Sequence, residues 1–313
     1  MTRYILARLV GMVGVLLGVS ILIFLLIHFI PGGPFDSISS DKNEKPIPEH
    51  IRAALLAKYG LDQPIYVQYI RYMSNALRGD FGISFHTGEN VTKFIARTWP
   101  VTVQLGLMSL LISWPLAILL GLVAAVRPNT WVDYLTSVFV VTTFVTPVFV
   151  IAIMAIILFA VNLKWLPSGG WGSPKHWVLP VLIYAITGIG GLARWVRANM
   201  VDALRADYIR TARSKGLTER MVVLRHAFRH ASLPLITILS PTLVNILLGS
   251  FFIELIFRIP GMGGATTTAI YNRDYPVIMA MILLWTFAIT IAYLVTDLLY
   301  AWADPRVRLG AKV

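Results

Sequence analysis

The chain has 313 residues, of which 57% are hydrophobic and 13% charged, with a formal net charge of +12 and no cysteine. A soluble domain carries about 25% charged residues, so this deficit, with a mean hydropathy of +0.73, excludes an ordinary soluble protein and points to an all-α integral membrane protein. The lack of cysteine excludes disulfides, thiolate catalysis and cysteine metal sites; the six histidines are assigned no metal, and the positive charge lies in loops between apolar stretches, which gives a membrane reading and no nucleic-acid partner.

A hydrocarbon core of about 30 Å needs roughly 20 apolar residues per helix. Six stretches qualify, near Leu9–Ile30, Val101–Val126, Tyr134–Val161, Trp177–Val196, Leu235–Phe257 and Val277–Ala301. Spans of this length are helices, because backbone polar groups in lipid must be satisfied internally. The first exceeds a signal-peptide core, and Pro31-Gly32-Gly33-Pro34 offers no A-x-A cleavage site. Residues 1–30 therefore read as an uncleaved anchor.

Residues 31–99 come next as a long loop outside the membrane. Pro48-Glu49 opens a helix that places Ile51, Ala54, Leu55 and Tyr59 on one face, and Gly60 ends it. Pro64 opens a second helix through Leu77. Together they predict a helical extracytoplasmic lid after the first span, the alternative being a plain connector. Residues 100–302 form a core of five spans, and 303–313 a cytoplasmic tail. Pro115 and Pro147 lie inside spans and Pro241 near the start of another; proline removes a helix hydrogen bond and kinks the chain.

Short cytoplasmic loops carry the excess of Lys and Arg. With the N-terminus inside, Arg3, Arg8, Arg127, the basic stretch from Arg194 to Arg229, and the tail residues Arg306, Arg308 and Lys312 all fall inside. The short outer loops keep Lys164, Lys175, Arg258 and Arg273. Six spans then put both termini in the cytoplasm.

Ion-driven carriers place ionisable groups at mid-membrane, where a charge costs at least about 2.5–3.5 kcal/mol. None is found here. Glu254 reads as an interfacial anchor with Arg258 at i+4, and Asp297 and His28 as terminal. Gln104, Thr143 and Asn245 are uncharged candidates for lining a pore, with interhelical structure as the alternative role for Gln104 and Asn245. No G-x-x-x-x-G-K-[ST] loop is present, so the chain does not bind ATP in that way. Uphill transport would need another polypeptide to supply the work; a passive channel would need none.

Between the fourth and fifth spans lies Asp207–Pro234, with Arg210, Arg213, Lys215, Arg220, Arg225 and Arg229 against Asp207 and Glu219. Helix is expected to continue from the fourth span through Ala212. Gly216 interrupts it, and Thr218 caps a second helix presenting an apolar ridge of Met221, Val222, Leu224 and Phe228. Residue chemistry leaves three readings: an interfacial helix on anionic lipid, a topology marker, or a helix docked in a groove of a partner protein.

The stretch resembles the EAA loop of ABC importer permeases, in the form found in the dipeptide/oligopeptide permease family. Arg210-Thr211-Ala212 stand at E-A-A, Gly216 at the glycine, and His226-Ala227-Phe228-Arg229 at I-x-L-P, with Arg229 in place of the proline. Arg210–Gly216 follow R-T-A-R-x-K-G and Arg225–Phe228 follow R-H-A-L. The likeness extends along the chain. Gly79-Asp80-Phe81-Gly82-Ile83-Ser84 is similar to the family's G-D-F-G-x-S. Arg97–Thr102, Thr146–Phe149, Phe257–Gly263, Arg273-Asp274-Tyr275-Pro276, Asp297–Tyr300 and Asp304–Arg308 each resemble a family segment.

The resemblance implies the "B"-type permease subunit of a peptide importer in the plasma (inner) membrane of a prokaryote. Its implied partners are a second homologous permease, two ABC ATPases that bind ATP and Mg, an extracytoplasmic solute-binding protein and the lipid bilayer. This chain itself would bind no cofactor and catalyse nothing. Arg210, Thr211, Ala212, Gly216, Met221, Leu224, His226 and Phe228 would seat a cytoplasmic coupling helix on an ATPase. Peptides are the family's usual cargo, alongside nickel chelates, glutathione and some sugars. The rival readings are a self-contained channel or ion-coupled secondary transporter, and a membrane enzyme, for which neither the Asp80–His86 region nor Arg273-Asp274 supplies a nucleophile or ligand set.

Overall fold

A computed structural model describes residues 2–29, 49–232 and 234–303. The Pro31–Pro34 segment, Leu233, and the tail with Arg306, Arg308 and Lys312 lie outside the described residues. In chain order the helices are α1 (Thr2–Phe29), α2 (Glu49–Tyr59), α3 (Ile65–Ala76), α4 (Val91–Val126), α5 (Trp131–Val145), α6 (Val148–Ala155) and α7 (Pro174–Arg205). After these come α8 (Asp207–Ser214), α9 (Glu219–Met221), α10 (Phe228–Ala231), α11 (Leu235–Leu248), α12 (Phe251–Ile256), α13 (Met262–Tyr271) and α14 (Tyr275–Ala303). Two segments, Ile156–Asn162 and Val222–Ala227, are π-helical. Extended pairing among the described residues is confined to one isolated bridge, Ile83 with Asn90.

The chain forms two compact units, Met1–Val101 with Pro260–Ile291, and Thr102–Ile259 with Ala292–Val313. The first has a core that includes Phe24, Ile27, Val91, Ile95, Met262 and Met281. Its α2 starts at Glu49 and stops before Gly60, and α3 follows Pro64 at its N-cap and ends with Leu77 at its C-cap, as read from the sequence. Polar bonds tie α3 to α1: Ser20 Oγ to Tyr69 Oη at 2.8 Å and His28 Nε2 to Gln68 Oε1 at 3.1 Å. The loop before α4 is pinned by buried Asp274, whose carboxylate accepts from the Ser84 hydroxyl and, at 3.0 Å, from the Phe85 amide. Two of the segments read as family motifs thus meet around one buried acid.

In the second unit, the core runs from Ala117, Val140, Leu192 and Val196 through Met200 to Ile209, Val222 and Ala227. One continuous apolar interior therefore joins membrane-type helices to the basic loop.

The expectation of six transmembrane helices does not hold. Among the described residues four helices are long and apolar enough to cross a membrane: Arg8–Phe29, Val91–Val126, Pro174–Arg205 and Tyr275–Thr296. A fifth is counted only if Trp131–Val145 and Val148–Asn162, bent by 101°, make one span. The bend falls at Pro147. Proline disfavours helical angles in the residue before it, and Thr146 is extended at ψ 124. The apolar run Leu235–Phe257 is not one helix either. α11 has 14 residues, about 21 Å at a rise of about 1.5 Å per residue, short of the roughly 30 Å needed. It stops at Gly249, where φ is +79 and a Cβ would collide with Glu254 and Thr102. Apolar length alone carries no sign of that turn.

The count and the packing bear on three further expectations. An even number of spans is the ground for two cytoplasmic ends, and that ground is removed. The basic loop lies between the crossing helices Pro174–Arg205 and Tyr275–Thr296, the fourth and fifth if the bent pair is one span, but the helix that directly follows it is the short α11. Glu254 is no interfacial anchor: it is 1% exposed, and Thr102 Oγ1 donates to it at 2.9 Å.

Candidate functional site

The basic loop is built in four short pieces. α7 does not run on through Ala212, because Ala206 is extended at ψ 151 and α8 starts anew at Asp207. α8 is two-faced. Ile209 and Ala212, three apart, are buried, while Arg210, Thr211, Arg213 and Ser214 face out. Arg210 sits 3.7 Å from Asp207 in an exposed i,i+3 pair. Gly216 then turns the chain at φ +73, with nothing within 4 Å of where a Cβ would sit. The glycine is therefore required by backbone angle, since other residues lose about 1–2 kcal/mol there.

Across that turn Arg213 makes a two-pronged bond to Glu219, Nε to Oε2 at 3.1 Å and Nη2 to Oε1 at 2.6 Å. The guanidinium holds the Glu219 carboxyl below the usual glutamate range, and the carboxylate holds the Arg213 guanidinium up. Thr218 occupies the N-cap position of α9, but its side chain makes no capping bond; its carbonyl accepts from Met221 and Val222 instead.

The next turn is π-helical, and this changes which side chains face inward. A π-helix bonds i to i+5 and recurs at functional sites. Val222, Val223 and Ala227 turn into the core, with Val222 at 0% exposure, while Met221 and Leu224 stay out at 40% and 46%. Phe228 packs half-buried against the core. The ridge expected from α-helical spacing is thus split: Val222 and Phe228 serve the interior, and Met221 and Leu224 form a small exposed apolar pair beside exposed Arg220 and Arg225. His226 is half-buried. His230 packs on Tyr208 at 4.9 Å between ring centroids, and burial pushes the Tyr208 phenol up.

The three pore candidates separate. Asn245 lines a cleft of about 300 Å³ with Ser109, Ser113, Tyr184 and Thr242. Tyr184 Oη donates to the Asn245 carbonyl at 3.3 Å. Gln104 accepts from Trp171 Nε1 at 3.3 Å. Thr143 is buried between α5 and α7, its hydroxyl donating to Phe139 and Val140 carbonyls of its own helix.

Sequence reading missed an ion pair between a buried acid, Asp133, and the partly exposed Arg197. Asp133 Oδ1 and Oδ2 accept from Arg197 Nε and Nη2, each at 2.7 Å. An acid in the first turn of an apolar helix and an arginine just past the apolar part of another were the available signals.

The loop and the cleft both lie within residues 117–309 apart from part of the cleft wall, and those residues match the family model of the binding-protein-dependent transport system inner membrane component. The N-terminal model for the same membrane components matches residues 1–106, which include Gln104. The chain belongs to this permease family. It is 38% identical over 313 residues to the dipeptide transport system permease protein DppB of Bacillus subtilis (strain 168), covering all of both chains. It is 37% identical over 308 residues to the glutathione transport system permease protein GsiC of Escherichia coli (strain K12), covering 98% of this permease and 99% of the relative. The same figures hold for the GsiC of Shigella flexneri serotype 5b (strain 8401). The resemblance drawn from Arg210–Phe228 and the flanking motifs therefore stands.

Proposed function

We propose that this permease is a pore-forming subunit of an ATP-driven importer of dipeptides or oligopeptides in a prokaryotic inner membrane. It works with a second homologous permease, two ABC ATPases and an extracytoplasmic binding protein. The observation that carries the reading is the two-faced loop. One face, Ile209, Ala212, Val222, Val223 and Ala227, is continuous with the core of the helices above it. The other offers Met221 and Leu224 beside exposed Arg220 and Arg225. Such a face fits an apolar pocket with an acidic rim, as in helix-in-groove recognition. A loop rigid on one side and sticky on the other can pass a partner's movement to the helices. ATP then acts by favouring one spacing of the loops, through its differential effect on two states.

The cargo assignment rests on the relatives, whose names specify dipeptide and glutathione transport; glutathione is itself a tripeptide. Asn245, with the polar side chains of its cleft, is our candidate for the route, and Gln104 and Thr143 are weaker ones.

The test is reconstitution in vesicles with the partner subunits and ATP, scored with labelled di- and tripeptides and with glutathione. Uptake is expected only when ATPase and binding protein are present, and for peptides of two or more residues. Uptake by this chain alone would overturn the proposal in favour of a self-contained channel or carrier.

A further inference from the structure

We propose that Asp133 and Arg197 form a positioning clamp that carries the movement of the 207–232 loop from α7 into the bent α5–α6 pair. The inference rests on the coupling role argued above for that loop.

The fork is complete on the acid's side. Arg197 Nε donates to Oδ1, and Arg197 Nη2 and the Asn129 amide donate to Oδ2, at 2.7, 2.7 and 3.0 Å. Asp133 is 4% exposed. Asn129, at φ +62, belongs to the turn between α4 and α5. One carboxylate thus joins the start of α5, the turn before it and α7. Arg197 stands three residues before Met200, about 4.5 Å along the helix, and Met200 belongs to the same buried core as Ile209 and Val222 of the loop.

Further along, the same two helices meet through weaker contacts. A Cβ at Gly190 would lie 2.7 Å from Thr143 Oγ1 and 2.8 Å from the Val140 carbonyl, so α5 and α7 are in close approach. The Arg194 guanidinium lies 4.7 Å from the centre of the Phe144 ring. Packing contacts and a single cation over a ring are individually small, and they hold the register of the seam less firmly than an ion pair of fixed geometry. A two-pronged guanidinium–carboxylate bond has one geometry, and sliding it apart strands a buried charge. The clamp therefore fixes register where the loop's movement enters the seam, and α5 moves with α7 as one body.

The chain has no cysteine, so single cysteines at Lys215 in the loop and Met154 in α6, both exposed, take one environment-sensitive fluorophore each without background. In the reconstituted complex ATP is expected to change both signals. With Arg197→Ala, and with Arg197→Lys, which keeps the charge and loses the fork, the Lys215 signal should persist and the Met154 signal should be lost. Cargo moved per ATP hydrolysed should fall about ten-fold, inside the range of a coupling interaction, with the ATPase still bound. A Lys215 signal that ignores ATP in the unsubstituted complex overturns the coupling reading, and the clamp with it. A Met154 response and a cargo-to-ATP ratio unchanged in Arg197→Lys overturn the clamp and leave the coupling reading intact.

Discussion

Gly216 has φ +73 and open space around the position of a Cβ, so a side chain there is opposed by the backbone alone. Asparagine visits the left-handed region far more readily than a β-branched residue does. Gly216→Val is therefore expected to insert normally but to uncouple: ATP hydrolysis in reconstituted complexes becomes indifferent to cargo, and uptake falls. Gly216→Asn should retain most of both. Normal cargo stimulation in the valine variant would rule this out. At Asp274 the physics is burial. Asp274→Ala leaves the Ser84 hydroxyl and the Phe85 amide without their acceptor, a loss of about 1–3 kcal/mol. The expected readout is a lower thermal-unfolding midpoint, with Asp274→Asn, which keeps an acceptor oxygen, losing less. An unchanged midpoint for the alanine variant would show that the bonds contribute nothing net.

The π-helical turn between α9 and α10 sets what the loop shows to a partner. Because Met221 and Leu224 are exposed and Val222 is buried, substitutions one residue apart should have different consequences. The Met221→Ala/Leu224→Ala pair should fold normally and bind the ATPase about ten-fold less tightly or worse, as truncated anchors at interfaces do. Val222→Ala should lower stability first, because it empties core volume. Equal binding by the double variant and the unsubstituted chain would refute the docking face. The Arg213–Glu219 brace has a pH signature. The Glu219 carboxyl is depressed from its ordinary 4.5 by the guanidinium, so its contribution is fully present above about that pH and is lost as pH falls through the lower folded value. Both side chains are about half exposed, so the effect is modest and screened by salt. A fluorophore at Lys215 should report loosening of the turn only as the pH falls below the ordinary glutamate value, and Glu219→Gln should abolish that step.

For the molecule as a whole, the prediction concerns work. The permease is expected to be inert by itself: vesicles holding this chain without its ATPases should take up no labelled peptide above empty vesicles, at any imposed ion gradient. Transport driven by a gradient alone would return the chain to the secondary-carrier class. Pro147 and Gly249 divide two apolar runs that are each long enough to cross a membrane, and the divided pieces pack within the second unit: Phe149 of α6 meets Phe252 of α12 at 5.7 Å between ring centroids.

The sequence by itself determined the helical membrane class, the family, the ends of α2 and α3 and the turn at Gly216. Each of these is written in local terms: apolar length, a proline before a helix, a glycine after one, a motif at fixed spacing. It did not determine the number of membrane-crossing helices or the face of the loop left exposed, because a bend or a π turn is selected by what the chain packs against. Nor did it pair Asp133 with Arg197 or Glu254 with Thr102. Those partners are 64 and 152 residues apart, and the local i+4 rule pointed Glu254 toward Arg258 instead. Buried charges take their partners from space, and only the tertiary structure brings those partners together.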